Sequence, residues 1–76
     1  MTIHRFSLQA EFIELNVLLK LLALASSGGA AKALIAAGGA RVDGEVETRV
    51  RCKLRAGQTV QVGSEEIRIL AAGPAA

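Results

Sequence analysis

The chain of 76 residues has no tryptophan or tyrosine, only two phenylalanines, and a single cysteine, histidine and proline. Each shortage removes a class of explanation. Without a second thiol, Cys52 cannot close an internal disulfide, and one cysteine is too few for a zinc cluster. No metal and no cofactor are therefore expected. Phe6 and Phe12 suit core or helix-flanking positions, which leaves no row of exposed rings on which unpaired bases could stack. The longest apolar stretch, Val17 to Ala25, is interrupted by Lys20 and falls well short of the roughly 20 residues that a membrane span needs. No basic segment leads into an apolar run and a small-residue cleavage site, so the start does not read as a signal peptide. A cytoplasmic location without a membrane partner is the resulting expectation.

What is present is aliphatic. Hydrophobic residues make up 51% of the chain, mostly Leu, Val, Ile and Ala, enough for a compact core but at a size that allows one domain at most. The formal charge is only +2, and its distribution says more than its size. Up to Ala40 three basic residues face two acidic ones, from Arg41 to Arg55 five face three, and beyond that one faces two. The positive excess sits in the middle, from Arg49 onward.

The order of elements follows from periodicity. Ile3 to Leu8 alternates, with His4, Phe6 and Leu8 on one side and Ile3, Arg5 and Ser7 on the other, which fits a short strand. Leu15, Leu18, Leu19 and Leu22 recur at helical spacing, and Val17, Leu21 and Leu24 widen the apolar arc, so this helix is expected to be buried on more than one side. Ser26 or Ser27 can cap a second helix through Ala30, Ala31, Leu34 and Ile35, whose alanines permit close helix packing. Gly38 and Gly39 end it. Asp43-Gly44 then signals a hairpin. From Glu45 to Arg55 the period is two, placing Val46, Val50, Cys52 and Leu54 on one parity and Glu45, Glu47, Arg49, Arg51, Lys53 and Arg55 on the other. An extended run would show one charged face, and a bend near Val50 to Lys53 would break it. Gly57 and Gly63-Ser64 punctuate two further strands, Thr59 to Val62 and Glu66 to Leu70. Together these predict an α+β domain with two helices on one side of a small antiparallel sheet of short strands. It spans 1–70, followed by a flexible tail over 71–76.

Catalysis finds no support in the residues. His4 stands alone near the start, Asp43 is accounted for by its turn, and Cys52 has no evident base and orienting partner. No enzyme and no small-molecule substrate are expected. Arg49, Arg51, Lys53 and Arg55 are closely placed cations, able to grip phosphate oxygens or equally to form a solvated face balanced by Glu45 and Glu47. Arg41 can reach that group or pair with Asp43 or Glu45. Ser27, Gly28 and Gly29 open a helix whose free N–H groups attract anions, and Lys32 follows within its first turns; simple capping and solubility would account for the same residues.

The ordered combination of Ser27-Gly28-Gly29-Ala30-Ala31-Lys32, Leu34-Ile35-Ala36-Ala37-Gly38, Ala40-Arg41-Val42-Asp43-Gly44 and Gly57-Gln58-Thr59-Val60 resembles the S4 RNA-binding domain. Its core lies within 15–62. The Ser-Gly-Gly turn and the element Glu47-Thr48-Arg49-Val50-Arg51-Cys52-Lys53-Leu54 bring it closest to the small stand-alone bacterial S4 proteins of the YbcJ type. The resemblance implies an αL-type fold, in which two helices and the following hairpin form a surface for structured RNA, ribosomal or otherwise connected with translation. It implies contacts at Arg49, Arg51, Lys53 and Arg55, at Lys32 with Ser27, Gly28 and Gly29, and at Arg41. Many S4 domains carry Arg before Leu-Asp at the start of the first helix and Ser-Arg at the next turn. This chain has Glu14-Leu15-Asn16 and Ser27-Gly28, which shifts the expected contact toward the Arg49 to Lys53 element. The competing expectation is a protein-interaction module docking an acidic partner.

Overall fold

The computed structural model describes residues 2–72. The chain forms β1 (Thr2–Ser7), β2 (Ile13–Glu14), α1 (Leu15–Leu21), α2 (Gly28–Ala36), β3 (Ala40–Val42), β4 (Glu45–Val46), β5 (Lys53–Leu54), β6 (Thr59–Val62) and β7 (Glu65–Leu70). Five strands make a sheet in the order β1-β7-β6-β3-β4, and β2 and β5 form a separate two-stranded ladder. This is the expected α+β arrangement, with two helices on one side of a small sheet. The β7-β6-β3-β4 portion is antiparallel, and β1 joins β7 in parallel. A parallel pair cannot be closed by a tight turn, and here almost the whole described chain lies between the two strands. Of the tail expected over 71–76, residues 73–76 lie outside the described residues.

The core is aliphatic, as the composition requires. Leu15, Leu18 and Leu19 of α1, Ala31 and Ile35 of α2, Leu54 of β5 and Ala40, Val60, Ile67 and Ile69 of the sheet are buried in one cluster. A methyl group at Ala31 is the largest side chain that this close helix contact needs. Along β1 the alternation holds, with Leu8 buried just beyond it, Phe6 packed on the core, and Ile3, Arg5 and Ser7 exposed.

The turns obey their local chemistry. Asp43 and Gly44 have φ of 51° and 87°, the positive pair that a two-residue hairpin demands, and the Asp43 carboxylate accepts the Thr59 N–H at 2.9 Å. Ser27 caps α2 by accepting the Ala30 N–H at 3.1 Å. At its other end Gly38 has φ of 80°, and Gly39 donates its N–H to the Leu34 carbonyl at 2.9 Å. A Cβ on Gly39 would lie 2.6 Å from Leu34 Cδ1 and 3.0 Å from Leu34 O. Gly39→Ala should therefore cost about 1–2 kcal/mol through forced repacking, read as a lower midpoint in urea unfolding with an unchanged slope.

One expectation needs correction. The first helix is not buried on several sides: α1 is two turns long, and Leu21 is 62% exposed with Val17 also at the surface. Its inner side alone meets α2 and the sheet, while the outer side faces solvent. Of the two arrangements open to the run from Glu45 to Arg55, an extended strand or a bend near Val50 to Lys53, the bend forms. Only Glu45–Val46 pairs with β3, after which the chain leaves the sheet, turns over 49–52 and pairs at β5 with β2 in the separate ladder. The bend decides the matter, and Val46, on the apolar parity, ends 52% exposed.

Candidate nucleic-acid interface

The bend places the cations on a fastened turn rather than on a flat strand. Within it the Cys52 N–H donates to the Arg49 carbonyl at 3.2 Å. The turn is held from below by the start of α1, where the N–H groups of Leu15 and Asn16 donate to the carbonyls of Cys52 and Val50 at 2.9 and 3.1 Å. The first N–H groups of a helix have no partner within it, so the basic turn satisfies two of them and is fixed in return. The β2-β5 ladder continues the attachment, with Ile13 opposite Leu54 and Glu14 opposite Lys53. Leu54 is fully buried and anchors the segment in the core.

On this support Arg49, Arg51, Cys52 and Lys53 line one open groove of about 450 Å³. The side chains of Arg49 and Arg51 are each 78% exposed. Both are oriented by a carboxylate. Arg49 makes a fork with Glu47, Nε to Oε2 and Nη2 to Oε1 both at 3.0 Å, while its backbone N–H also donates to Oε2 at 3.0 Å. Arg51 Nε donates to the two Glu14 oxygens at 3.3 and 3.2 Å. Lys53 Nζ stands 4.8 Å from the centre of the Phe12 ring, a cation–π geometry. Arg55 reaches the Glu11 carbonyl at 3.5 Å, and its N–H is taken by Gln58 Oε1 at 2.6 Å. The groove itself is lined by three cations and no carboxylate, while Asp43, Glu45 and Glu47 line the groove on the other side of Arg49 and Lys53.

The hydrogen bonds from the Arg49 side chain, and then from its N–H, hold the Glu47 carboxyl down at about 2 from its ordinary 4.5. Because the folded value is the lower one, the pairing stabilises the turn above pH 4.5 and is lost only as the pH falls towards 2. A carbon-detected NMR titration should show the Glu47 carboxyl unchanged through pH 4, with Arg49 staying in its fork over the same range. Burial pushes the Cys52 thiol up, helped by the nearby Glu47 charge. It is a protonated, partly buried side chain at neutral pH.

A second polar region opens at the start of α2. Gly28 and Gly29 are exposed, no acidic residue occupies the first turn, and Lys32 projects from the helix surface. Gly28 shares a groove with Asn16 and Lys20 of α1. The groove runs along α1 from Asn16, whose N–H is bonded to Val50 of the basic turn, to Lys20 and Leu21 at the other end of the helix. Arg41 lies elsewhere. It sits in β3 opposite Val46 and Gln61, with Ala40 and Val42 turned to the core, so it faces away from the helices. No ion pair joins it to Asp43 or Glu45 among the described residues.

The structure adds Glu14, Glu47, Phe12 and Lys20 to the residues singled out in the sequence. Glu14 and Glu47 stood out there as a departure and as a balancing charge, but their arginine partners did not. Lys20 sits among the leucines of α1 with nothing to mark it, and Phe12 meets Lys53 only through the β2-β5 pairing. Among the described residues no group of His, Cys, Asp and Glu could hold a metal ion, and no helix is long and apolar enough to cross a membrane.

Comparison with known proteins agrees with this architecture. The profile of the S4 domain matches residues 6–70. YbcJ of Escherichia coli (strain K12), provisionally named an RNA-binding protein, is 49% identical over 59 residues, covering 78% of this chain and 84% of that protein. YbcJ of Shigella flexneri, an uncharacterised protein, matches to the same extent. The solution structure of E. coli YbcJ, described as revealing an αL motif involved in RNA binding, superposes with a TM-score of 0.71 at 44% identity, covering 93% of this chain and 91% of that one. On sequence and fold together, the chain belongs to the S4 domain family.

Proposed function

We propose that the chain binds structured RNA, ribosomal or translation-related, in the cytoplasm, through phosphate and shape contacts and without catalysis. The observation that carries the reading is the convergence of Arg49, Arg51 and Lys53 on one groove braced by the start of α1. Arg55 extends this surface, and the N–H groups of Gly28 and Gly29 behind the Ser27 cap, with Lys32, give it a second point of support. Exposed guanidinium groups on a fixed turn suit a phosphate backbone, which positions a protein without reading sequence. The scarcity of aromatic side chains favours folded over single-stranded RNA. Arg41, on the far side of the sheet, is not part of this surface. The likeness to E. coli YbcJ, whose motif is described as involved in RNA binding, supports the same reading.

Titration with fluorescent ribosomal RNA fragments at several salt concentrations tests it. With three or four phosphates engaged, the logarithm of the affinity should fall against the logarithm of salt with a slope of about −3. A flat profile, or no binding at low salt, would overturn the proposal.

A further inference from the structure

The opposite side of the sheet carries a feature that RNA binding does not use. β1 is an edge strand, paired only with β7. Thr2 and Leu8 turn their N–H groups towards the β7 side, to Ser64 and Leu70 at 3.0 and 2.8 Å. Strand geometry has period two, so the main-chain groups of Ile3, Arg5 and Ser7 face the open edge. The same three residues direct their side chains to the outer face, beside Glu66, Arg68 and Leu70 of β7.

That face has a definite pattern. Arg5 stands directly opposite Arg68, a like-charge pairing that costs stability in a sheet. Arg68 is held by Glu66 at 2.7 Å, and Arg5 has no carboxylate partner among the described residues. Ile3 and Leu70 flank the arginines, 41% and 42% exposed. Aliphatic residues around an arginine pair are poor company for phosphates and typical of protein interfaces. A second antiparallel copy of β1 centred on Arg5 would bring two such arginines together, so the edge disfavours its own kind.

We propose that this edge docks an extended acidic segment of a partner protein, added as a strand beside β1. A carboxylate on the segment, placed opposite Arg5, meets its guanidinium, and the residues two positions to either side fall beside Ile3 and Ser7, an aliphatic one covering Ile3. The main chain supplies affinity and the alternating side chains supply selectivity. This site is independent of the RNA surface, so the protein can hold an RNA on its helical side and a protein segment on its sheet.

The test uses a synthetic peptide of roughly seven residues, within a strand's usual span, with a central glutamate, valine two positions to either side of it and threonine between, and a counterpart with lysine in place of the glutamate. Each is titrated into the isotope-labelled protein while amide signals are followed. The glutamate peptide should saturate with shifts centred on Ile3, Arg5 and Ser7, binding at least about tenfold more tightly than the lysine peptide, in line with charge complementarity. Arg5→Glu should reverse the preference and leave the salt-dependent RNA affinity unchanged, with Arg5→Gln as a milder variant that loses the preference without reversing it. Equal binding of the two peptides, no binding of either, or shifts confined to α1 and α2 would overturn the proposal. So would folded RNA perturbing the β1 amides with an affinity lowered by Arg5→Glu, or dimerisation of the free protein through β1.

Discussion

Replacing Arg49, Arg51 and Lys53 together by alanine should lower the affinity for a folded RNA by about a hundredfold at 0.15 M salt, since each phosphate contact is worth roughly fivefold there. The loss has two parts. Three cations disappear from the groove, and Glu47 and Glu14, which now lie under arginines, become unpaired negative charges facing the phosphates. The groove loses all three of its cations, with Asp43, Glu45 and Glu47 still beside it. The salt slope should become shallower by about 2 to 3, which separates loss of ionic contacts from general damage. Stability should change little, because these ion pairs are exposed and screened by solvent. Circular dichroism and a urea midpoint close to that of the parent check this. An undiminished affinity in such a folded variant would exclude the basic turn as the contact surface.

The paired substitution Glu14→Gln and Glu47→Gln should act in the opposite direction. In the free protein both arginines already have Nε engaged by a carboxylate, so a phosphate reaching for that N–H has to displace a partner or share it. Converting the carboxyls to amides keeps a hydrogen-bond acceptor beside each guanidinium while removing the competing charge. Affinity for structured RNA should rise about tenfold or more at 0.15 M salt, and the slope should steepen by 1 to 2. Non-specific binding to DNA should rise at least as much, because the gain is purely ionic. Glu14 and Glu47 then act as a restraint on indiscriminate binding, in keeping with a chain whose net charge is only +2. Unchanged affinity with the slope intact would show that RNA does not draw on these two arginines.

The parts of the fold governed by neighbouring residues were legible in the sequence. The alternation of β1, the Ser27 cap, the glycine stop after α2 and the Asp43-Gly44 hairpin each depend on a few consecutive side chains, and all of them form as expected. What escaped depends on pairing at a distance. The β2-β5 ladder is only two residues on each side, too short to leave a periodic signal, yet it determines where Arg51 and Lys53 point. Arg51 meets Glu14 across 37 positions, and no local rule joins them. The exposure of Val17 and Leu21 was hidden for a related reason: periodicity marks which helix faces are apolar, whereas the number of neighbouring layers decides which are covered. The cluster at Arg49, Arg51 and Lys53 was read from charge and resemblance, while its support by the N–H groups of Leu15 and Asn16 was visible only in the fold.

The parallel pairing of β1 with β7 also fixes an order of events during synthesis. β1 leaves the ribosome before β7, and both helices and the hairpin emerge between them. Until β7 emerges β1 has two open edges, and Phe6 and Leu8 have only part of their packing. Helices, hairpin and basic turn can assemble from local segments while the sheet is still unfinished, since contacts of long sequence separation form slowly. A chain broken off before β7 would therefore retain the cations and lose the closure of the sheet, leaving exposed strand for aggregation or proteolysis. The join between β1 and β7 makes the finished sheet a mark of a chain translated through β7.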